Sequence, residues 1–204
     1  INPHSFFKNK IVVDAGCGSG KFSATIARLG AKKVYGVDIG KKGLNFAKLQ
    51  AKKKKYGYKL KFIESSLLNI SLKNEVADLV WSNGVIHHTS DYNKCLSEFN
   101  RILKRKGKLF LYVSGSSGLY ELIQDTLRVC NEDIPRYLFQ DYLKSLKVNS
   151  GRLYWLMDSL YAPYEYKSYK DVEKLLENNG FANMLQLTRG IKTDSIEQVT
   201  TKLP

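Results

Sequence analysis

The stretch that decides the fold is VVDAGCGSGKF, Val12 to Phe22. A β-branched run ends in an acid, Asp14, and three glycines follow at alternate positions, Gly16, Gly18 and Gly20. Glycine at a strand-to-helix corner either turns the backbone through positive φ or lets a ligand approach it closely. Upstream, IVVDAG (11–16) reads as a buried strand closed by glycine. Downstream, Phe22, Ile26 and Leu29 repeat at helical spacing until Gly30.

The alternation continues outward from there. KKVYGVDIG (32–40) is a second strand, followed by a lysine-rich helix with Leu44, Ala47 and Ala51 on one face, up to Gly57. LKFIESS (60–66) and ADLVWSN (77–83) are a third and a fourth strand. YNKCLSEFNRILKRKG (92–107) is the clearest helix, with a Leu96, Phe99, Leu103 stripe, Asp91 to cap it and Gly107 to stop it. KLFLYVSG (108–115) is the fifth strand. Strands and helices alternating in steps of about 20–30 residues signal βαβ units. The fold class is therefore α/β: a Rossmann-like, doubly wound, mainly parallel sheet with helices on both faces.

After Gly115 the alternation breaks. Residues 117–168 read as successive helices rich in Tyr and Leu, a helical insertion after strand five at the sheet's C-terminal edge. Within it, YWLMDSLYAPYEY (154–166) reads as less helical, broken by Pro163. YKDVEKLLENNGF (169–181) resumes the helical pattern and ANMLQLTRG (182–190) is a sixth strand. The remaining IKTDSIEQVTTKLP leaves a seventh strand short, absent or cut off. One domain over residues 1–204, with 117–168 as a lid inside it, fits a chain of 204 residues.

At 43% hydrophobic and 25% charged, the composition is that of an ordinary globular protein. No run approaches the ~20 apolar residues of a membrane span, and no signal-peptide pattern opens the chain. It begins on Ile1 rather than Met, so its true N-terminus is expected upstream. Cys17, Cys95 and Cys130 have no disulfide or CxxC spacing, which points to a reducing, cytoplasmic setting with no metal site. Nothing in the sequence specifies an oligomeric state.

The net charge of +14 invites a nucleic-acid reading, but its distribution argues against one. Residues 1–107 carry 21 Lys and Arg against 7 Asp and Glu, whereas residues 108–204 carry 12 against 12. Lysine outnumbers arginine 26 to 7, and bidentate phosphate recognition favours arginine. The run KKKKY at 52–56 closes a helix, where cations suit the dipole and water.

In an open parallel sheet a ligand sits beyond the carboxyl ends of the strands, where the glycines lie. A dinucleotide fingerprint, G-x-G-x-x-G, fails in both frames, because Lys21 and Ser23 occupy the third glycine positions. A phosphate-binding P-loop fails as well, because Lys21 is followed by Phe22 rather than by a hydroxyl.

VVDAGCGSG resembles instead the first motif of class I S-adenosylmethionine-dependent methyltransferases, an acid followed by G-x-G-x-G. Asp38 in VYGVDIG stands 24 residues after Asp14, at the end of strand two, where an acid can accept from two ribose hydroxyls. ADLVWSNGVIHHTSDYNKCLSEFNRILKRKGKLFLYV is similar to the strand-four to strand-five segment of the family's small-molecule branch. Together these motifs cover residues 11–115.

The resemblance implies S-adenosylmethionine as cofactor and assigns its contacts. The loop of Gly16, Cys17, Gly18 and Gly20 passes beside the methionyl part, with Cys17 a small filler rather than a nucleophile. Asp14 organises that loop and helps to hold the amino group. Asp38 binds the ribose and Ile39 packs on the adenine. Ser66 and Leu67 stand where the family has an acid and a small or apolar residue near the adenine amine. Ser66 departs from that pattern, accepting a hydrogen bond without carrying charge. Asn83 ends strand four, where the family's backbone meets the methionyl amine.

Methyl transfer from a sulfonium is an in-line displacement that asks mainly for alignment and exclusion of water. A base is needed only where the acceptor must lose a proton. His87 and His88 follow strand four at the mouth of the site. His88 matches a histidine common in relatives. It takes a proton, orients an acceptor hydroxyl, or simply bonds its own loop backbone. Tyr161 and Tyr164 belong to the insertion's phenol-rich stretch and are expected to line the acceptor pocket.

The resemblance thus implies methyl transfer to a small-molecule acceptor. Rival readings are an RNA or protein methyltransferase and a non-catalytic S-adenosylmethionine-binding module. Residues 117–168 carry 6 basic and 7 acidic residues, which disfavours a nucleic-acid partner. An NPPY-like amino-methylating motif is absent after strand four, where SNGV stands.

Overall fold

Val12 and Val13 in β1 (Ile11–Ala15) are both fully buried, one on each face of the strand. Only a strand covered on both sides does that. The computed structural model, which describes residues 3–116, 118–187 and 195–202, shows what covers it. Val12 joins Val34 and Leu79 against α1 (Pro3–Phe7) and α2 (Lys21–Arg28), through Phe7, Ile26 and Ala27. Val13 and Ala15 lie in the larger cluster with Val80, Leu96, Phe99, Ile102, Leu111 and Leu176. That second face is covered by α4 (Tyr92–Ile102) and α8 (Tyr169–Asn178).

Among the described residues the sheet has seven strands, in the order β3-β2-β1-β4-β5-β7-β6. β2 (Lys33–Asp38), β3 (Leu60–Glu64), β4 (Ala77–Asn83) and β5 (Leu103–Ser114) run parallel with β1. α3 (Lys41–Lys52) crosses between β2 and β3 and buries Leu44 and Ala47 against Phe62. β6 (Phe181–Leu187) reaches β5 only through β7 (Ser195–Lys202), which is antiparallel to both. The seventh strand, left open by the sequence, is thus present. The expected sixth strand begins one residue earlier, and residues 188–190 of it lie outside the described residues.

The helix expected over 92–107 ends at Ile102. Asp91 does cap it, accepting from the Lys94 amide at 2.9 Å. Leu103 is fully buried and leaves the helix in an extended conformation to pair with Ala77. The ladder then jumps to Leu79 opposite Lys108, so residues 104–107 bulge out. A side chain at Gly107 would stand 2.8 Å from the Lys104 carbonyl oxygen, so glycine closes this bulge rather than the helix.

Between β5 and α8 the chain forms α5 (Leu119–Cys130), α6 (Arg136–Ser145) and α7 (Ser150–Tyr161). Residues 154–161 are helical after all, and the break falls at Ala162, which Pro163 biases toward extended backbone. The return segment is laced to the loop after β4. The Glu165 amide donates to the His87 carbonyl at 2.8 Å, and the Tyr92 hydroxyl donates to the Glu165 carbonyl at 3.1 Å. The insertion therefore sits at the carboxyl ends of β4 and β5.

Candidate active site

The site begins with Asp14, which shares its strand face with Val12 and so points toward α2. It is 2% exposed and accepts from the Ser23 hydroxyl at 2.5 Å. Burial pushes its carboxyl up to about 6, the Ser23 hydrogen bonds only partly opposing this. Between about pH 4 and pH 6 the folded chain therefore keeps a proton that the unfolded chain has released. Stability from this group is complete below the unfolded pKa and falls as pH rises through the folded one. Wild type is expected to lose up to about 3 kcal/mol more than Asp14→Asn across that window, measured by denaturant titration at each pH.

The loop beyond Asp14 turns on left-handed glycines, with φ of +81° at Gly16, +51° at Gly18 and +77° at Gly20. Two of them are also packing constraints: a side chain at Gly16 would overlap Val85, and one at Gly20 would meet Ala47 and Phe62 within 3 Å. At Gly18 a side chain would meet nothing within 4 Å. Cys17 packs with Leu44, Ala47 and Phe62, and burial pushes its thiol up, so it is a filler with no thiolate character.

Asp38 ends β2 facing this loop. Its two oxygens accept from the Gly18 and Gly40 amides, each at 2.7 Å. Each oxygen keeps a second acceptor position, so the carboxylate can still take two hydroxyl donors. Gly16, Asp38, Ile39, Ser66, Leu67 and His88 line one cavity of about 320 Å³, together with Leu68, Val85, Thr89 and Ser90. Ile39 is 73% exposed, apolar surface available to a flat ligand. The Ser66 hydroxyl accepts from the Leu68 amide at 3.1 Å, which holds the turn after β3.

His88 lines the same cavity. Its Nδ1 is 2.7 Å from the Pro163 carbonyl oxygen, which can only accept, so the proton sits on Nδ1. Nε2 is 3.5 Å from an Asp158 carboxylate oxygen. Burial raises the Asp158 carboxyl, but the adjacent His88 ring and the Tyr164 hydrogen bond bring it below the usual carboxylate range. Asp158 itself lines a second cavity, of about 180 Å³, with His87, Gln124, Arg128, Tyr164 and Tyr166. The His88–Asp158 pair thus joins the walls of the two cavities.

The remaining expected residues separate. Tyr164 lines the second cavity, stacked on His87 at 5.0 Å and donating to Asp158 at 3.0 Å. Tyr161 packs inside the insertion, 6.0 Å from Phe139 and donating to the Ile134 carbonyl at 3.2 Å, and lines neither cavity. Asn83, half-buried at the end of β4, lines neither. His87, which the sequence places at the mouth of the site, lines the second cavity, whereas Asp158, Gln124 and Arg128 were not singled out by the sequence. Among the described residues no group of three or more His, Cys, Asp or Glu could hold a metal ion, and no helix is long and apolar enough to cross a membrane.

Residues 13–111 match the family model described as a methyltransferase domain. The chain is 33% identical over 104 residues to a ubiquinone biosynthesis O-methyltransferase of Pelagibacter ubique, covering 51% of this chain and 42% of that protein. It is 32% identical over 114 residues to a malonyl-[acyl-carrier protein] O-methyltransferase of Legionella pneumophila, covering 54% and 38%. It therefore spans less than half the length of these relatives. Among solved structures it is similar to a SAM-dependent methyltransferase of Methanosarcina mazei, with a TM-score of 0.69 at 20% identity over 98% of this chain and 96% of that one. Residues 13–111, just under half of the chain, are thus similar to a methyltransferase domain, on a fold like that of the solved SAM-dependent methyltransferase.

Proposed function

We propose that this chain transfers a methyl group from S-adenosylmethionine to a small-molecule acceptor. One observation carries the reading: a single cavity gathers Gly16 at the start of the glycine loop, the Asp38 carboxylate, the apolar surfaces of Ile39 and Leu67, and His88. When bound, S-adenosylmethionine supplies a methyl group already activated on a sulfonium. Asp38 has acceptor capacity left for the two ribose hydroxyls, and Ile39 and Leu67 give the adenine apolar contact. The backbone of Gly16 to Gly20 and Asn83, with Asp14 beneath, is assigned to the methionyl end, and Ser66 to the adenine edge.

His88 is the group that receives the acceptor's proton. Pro163 fixes the Nδ1–H tautomer, which leaves Nε2 as the basic nitrogen. Asp158 beside Nε2 would stabilise the charge that proton brings. The helices of the insertion act as a lid that excludes water, and Tyr164 lines the acceptor side. The buried Cys17 and Cys95 and the exposed Cys130, all free thiols, support a cytoplasmic setting.

Calorimetry is expected to show binding of S-adenosylmethionine and S-adenosylhomocysteine but not of NAD. No binding of either adenosyl ligand at millimolar concentration would overturn the reading. Acceptors are then found by screening for S-adenosylhomocysteine release, and complete absence of turnover would favour the non-catalytic module. A nucleic-acid acceptor predicts tight tRNA binding whose log K falls by about 0.7–0.9 per contacted phosphate for each log unit of salt. Weak binding at physiological salt is expected instead.

A further inference from the structure

We propose that the second cavity, walled by α5, α7 and the ends of β4 and β5, binds an ammonium group, so that the acceptor is a small amine-bearing molecule. That the bound amine is the methyl acceptor rests on the function proposed above; that the cavity takes an amine does not.

The cavity wall is rich in acceptors. Glu121, 5% exposed, and Asp158 both line it. Gln124, 7% exposed, lines it too, and its buried Oε1 meets no hydrogen-bond partner. An oxygen left in that state costs free energy that a ligand N–H would recover. Two carboxylates walling so small a space likewise favour a cation over any neutral or anionic guest.

The wall's other ionisable groups do not offset this. Arg128 gives its Nε hydrogen to the Ser159 carbonyl at 2.8 Å and its Nη1 to Tyr166 and to Asp125, whose charge balances its own. His87 accepts the Ser114 amide at Nδ1, and burial depresses its basicity to about 3, so the ring is neutral with its proton on Nε2. Aromatic rings complete the enclosure. Arg128 already rides on the Tyr164 ring, 4.3 Å from its centre, and Trp155 adds a further π surface to the wall. In a chain of net charge +14, this pocket concentrates negative charge where the insertion meets the sheet.

The test titrates benzylamine, benzyl alcohol and benzoate into the purified chain by calorimetry, with and without S-adenosylhomocysteine. Benzylamine, protonated at neutral pH, is expected to bind about ten-fold or more tighter than benzyl alcohol, with benzoate weakest. Glu121→Gln should erase most of that preference, and Gln124→Leu should weaken benzylamine several-fold. If Glu121→Gln does not fold, judged by thermal unfolding, the Gln124→Leu arm still decides. Equal binding of amine and alcohol, a preference for benzoate, no benzylamine binding at about 10 mM, or a preference that survives the folded variants overturns the proposal. S-adenosylhomocysteine binding without any amine preference would sink the amine site and leave the methyl-transfer reading standing. Amine preference without adenosyl-ligand binding would do the reverse.

Discussion

His88→Ala is expected to lower turnover by about 10²–10⁴ while changing S-adenosylhomocysteine affinity only a few-fold. The reason lies in what the ring touches. Its Nδ1–H is committed to the Pro163 carbonyl at 2.7 Å, and its Nε2 stands at 3.5 Å from Asp158, too long for a good hydrogen bond. An acceptor hydroxyl or amine between the cavities would meet Nε2 beside the Asp158 carboxylate. Such a contact strengthens only as the acceptor loses its proton, so its loss lowers kcat rather than cofactor binding.

A purely positioning His88 would behave differently. It would still hold Pro163 and hence the insertion, but its removal would cost nearer ten-fold and leave the pH profile of kcat/KM in place. A base role predicts that the acid limb of that profile disappears in the variant. Asp158→Asn is the companion measurement. It removes the charge beside Nε2 and keeps the side-chain shape, so it should shift the acid limb downward and cost less than His88→Ala. A His88→Ala loss under ten-fold with the limb intact would retire the base assignment.

The division between what the sequence displayed and what it hid follows sequence distance. Asp14, the glycines and Asp38 lie within 25 residues of one another, in elements whose burial is set by local patterning, and they were legible. The reason for two of the glycines was not. Gly16 and Gly20 answer to Val85, Ala47 and Phe62, residues that reach them only once the sheet has formed. Asp158 and Pro163 are about 70 residues from His88 and sit in the insertion, whose helices carry no motif. Their signal was a phenol-dense stretch, which marks a pocket or a small core equally well. Tyr161 and Tyr164 show both outcomes three residues apart, because α7 ends between them and turns Tyr164 back toward His87. The seventh strand was equally hidden. β7 earns its place by pairing along all of Lys108–Ser114, which no periodicity of its own announces.

Asp38→Ala is expected to weaken S-adenosylhomocysteine binding by about 1.5–3 kcal/mol, roughly 10–150-fold, with the fold retained. Two effects add here. The carboxylate is assigned to the ribose hydroxyls, and it also receives the Gly18 and Gly40 amides at 2.7 Å, so it holds the glycine loop against the end of β2. Asparagine tests the second effect. It offers one acceptor oxygen where the carboxylate offers two, and its amide would face one of the two backbone donors with a donor of its own. Asp38→Asn should therefore recover little of the loss, despite its matching shape. A 2′-deoxy analogue of the ligand separates the first effect. If Asp38 bonds that hydroxyl, removing the hydroxyl and the carboxylate together should cost less than the sum of the two separate losses. Strict additivity would confine Asp38 to the loop, and an unchanged Kd in a folded Asp38→Ala chain would remove it from the site.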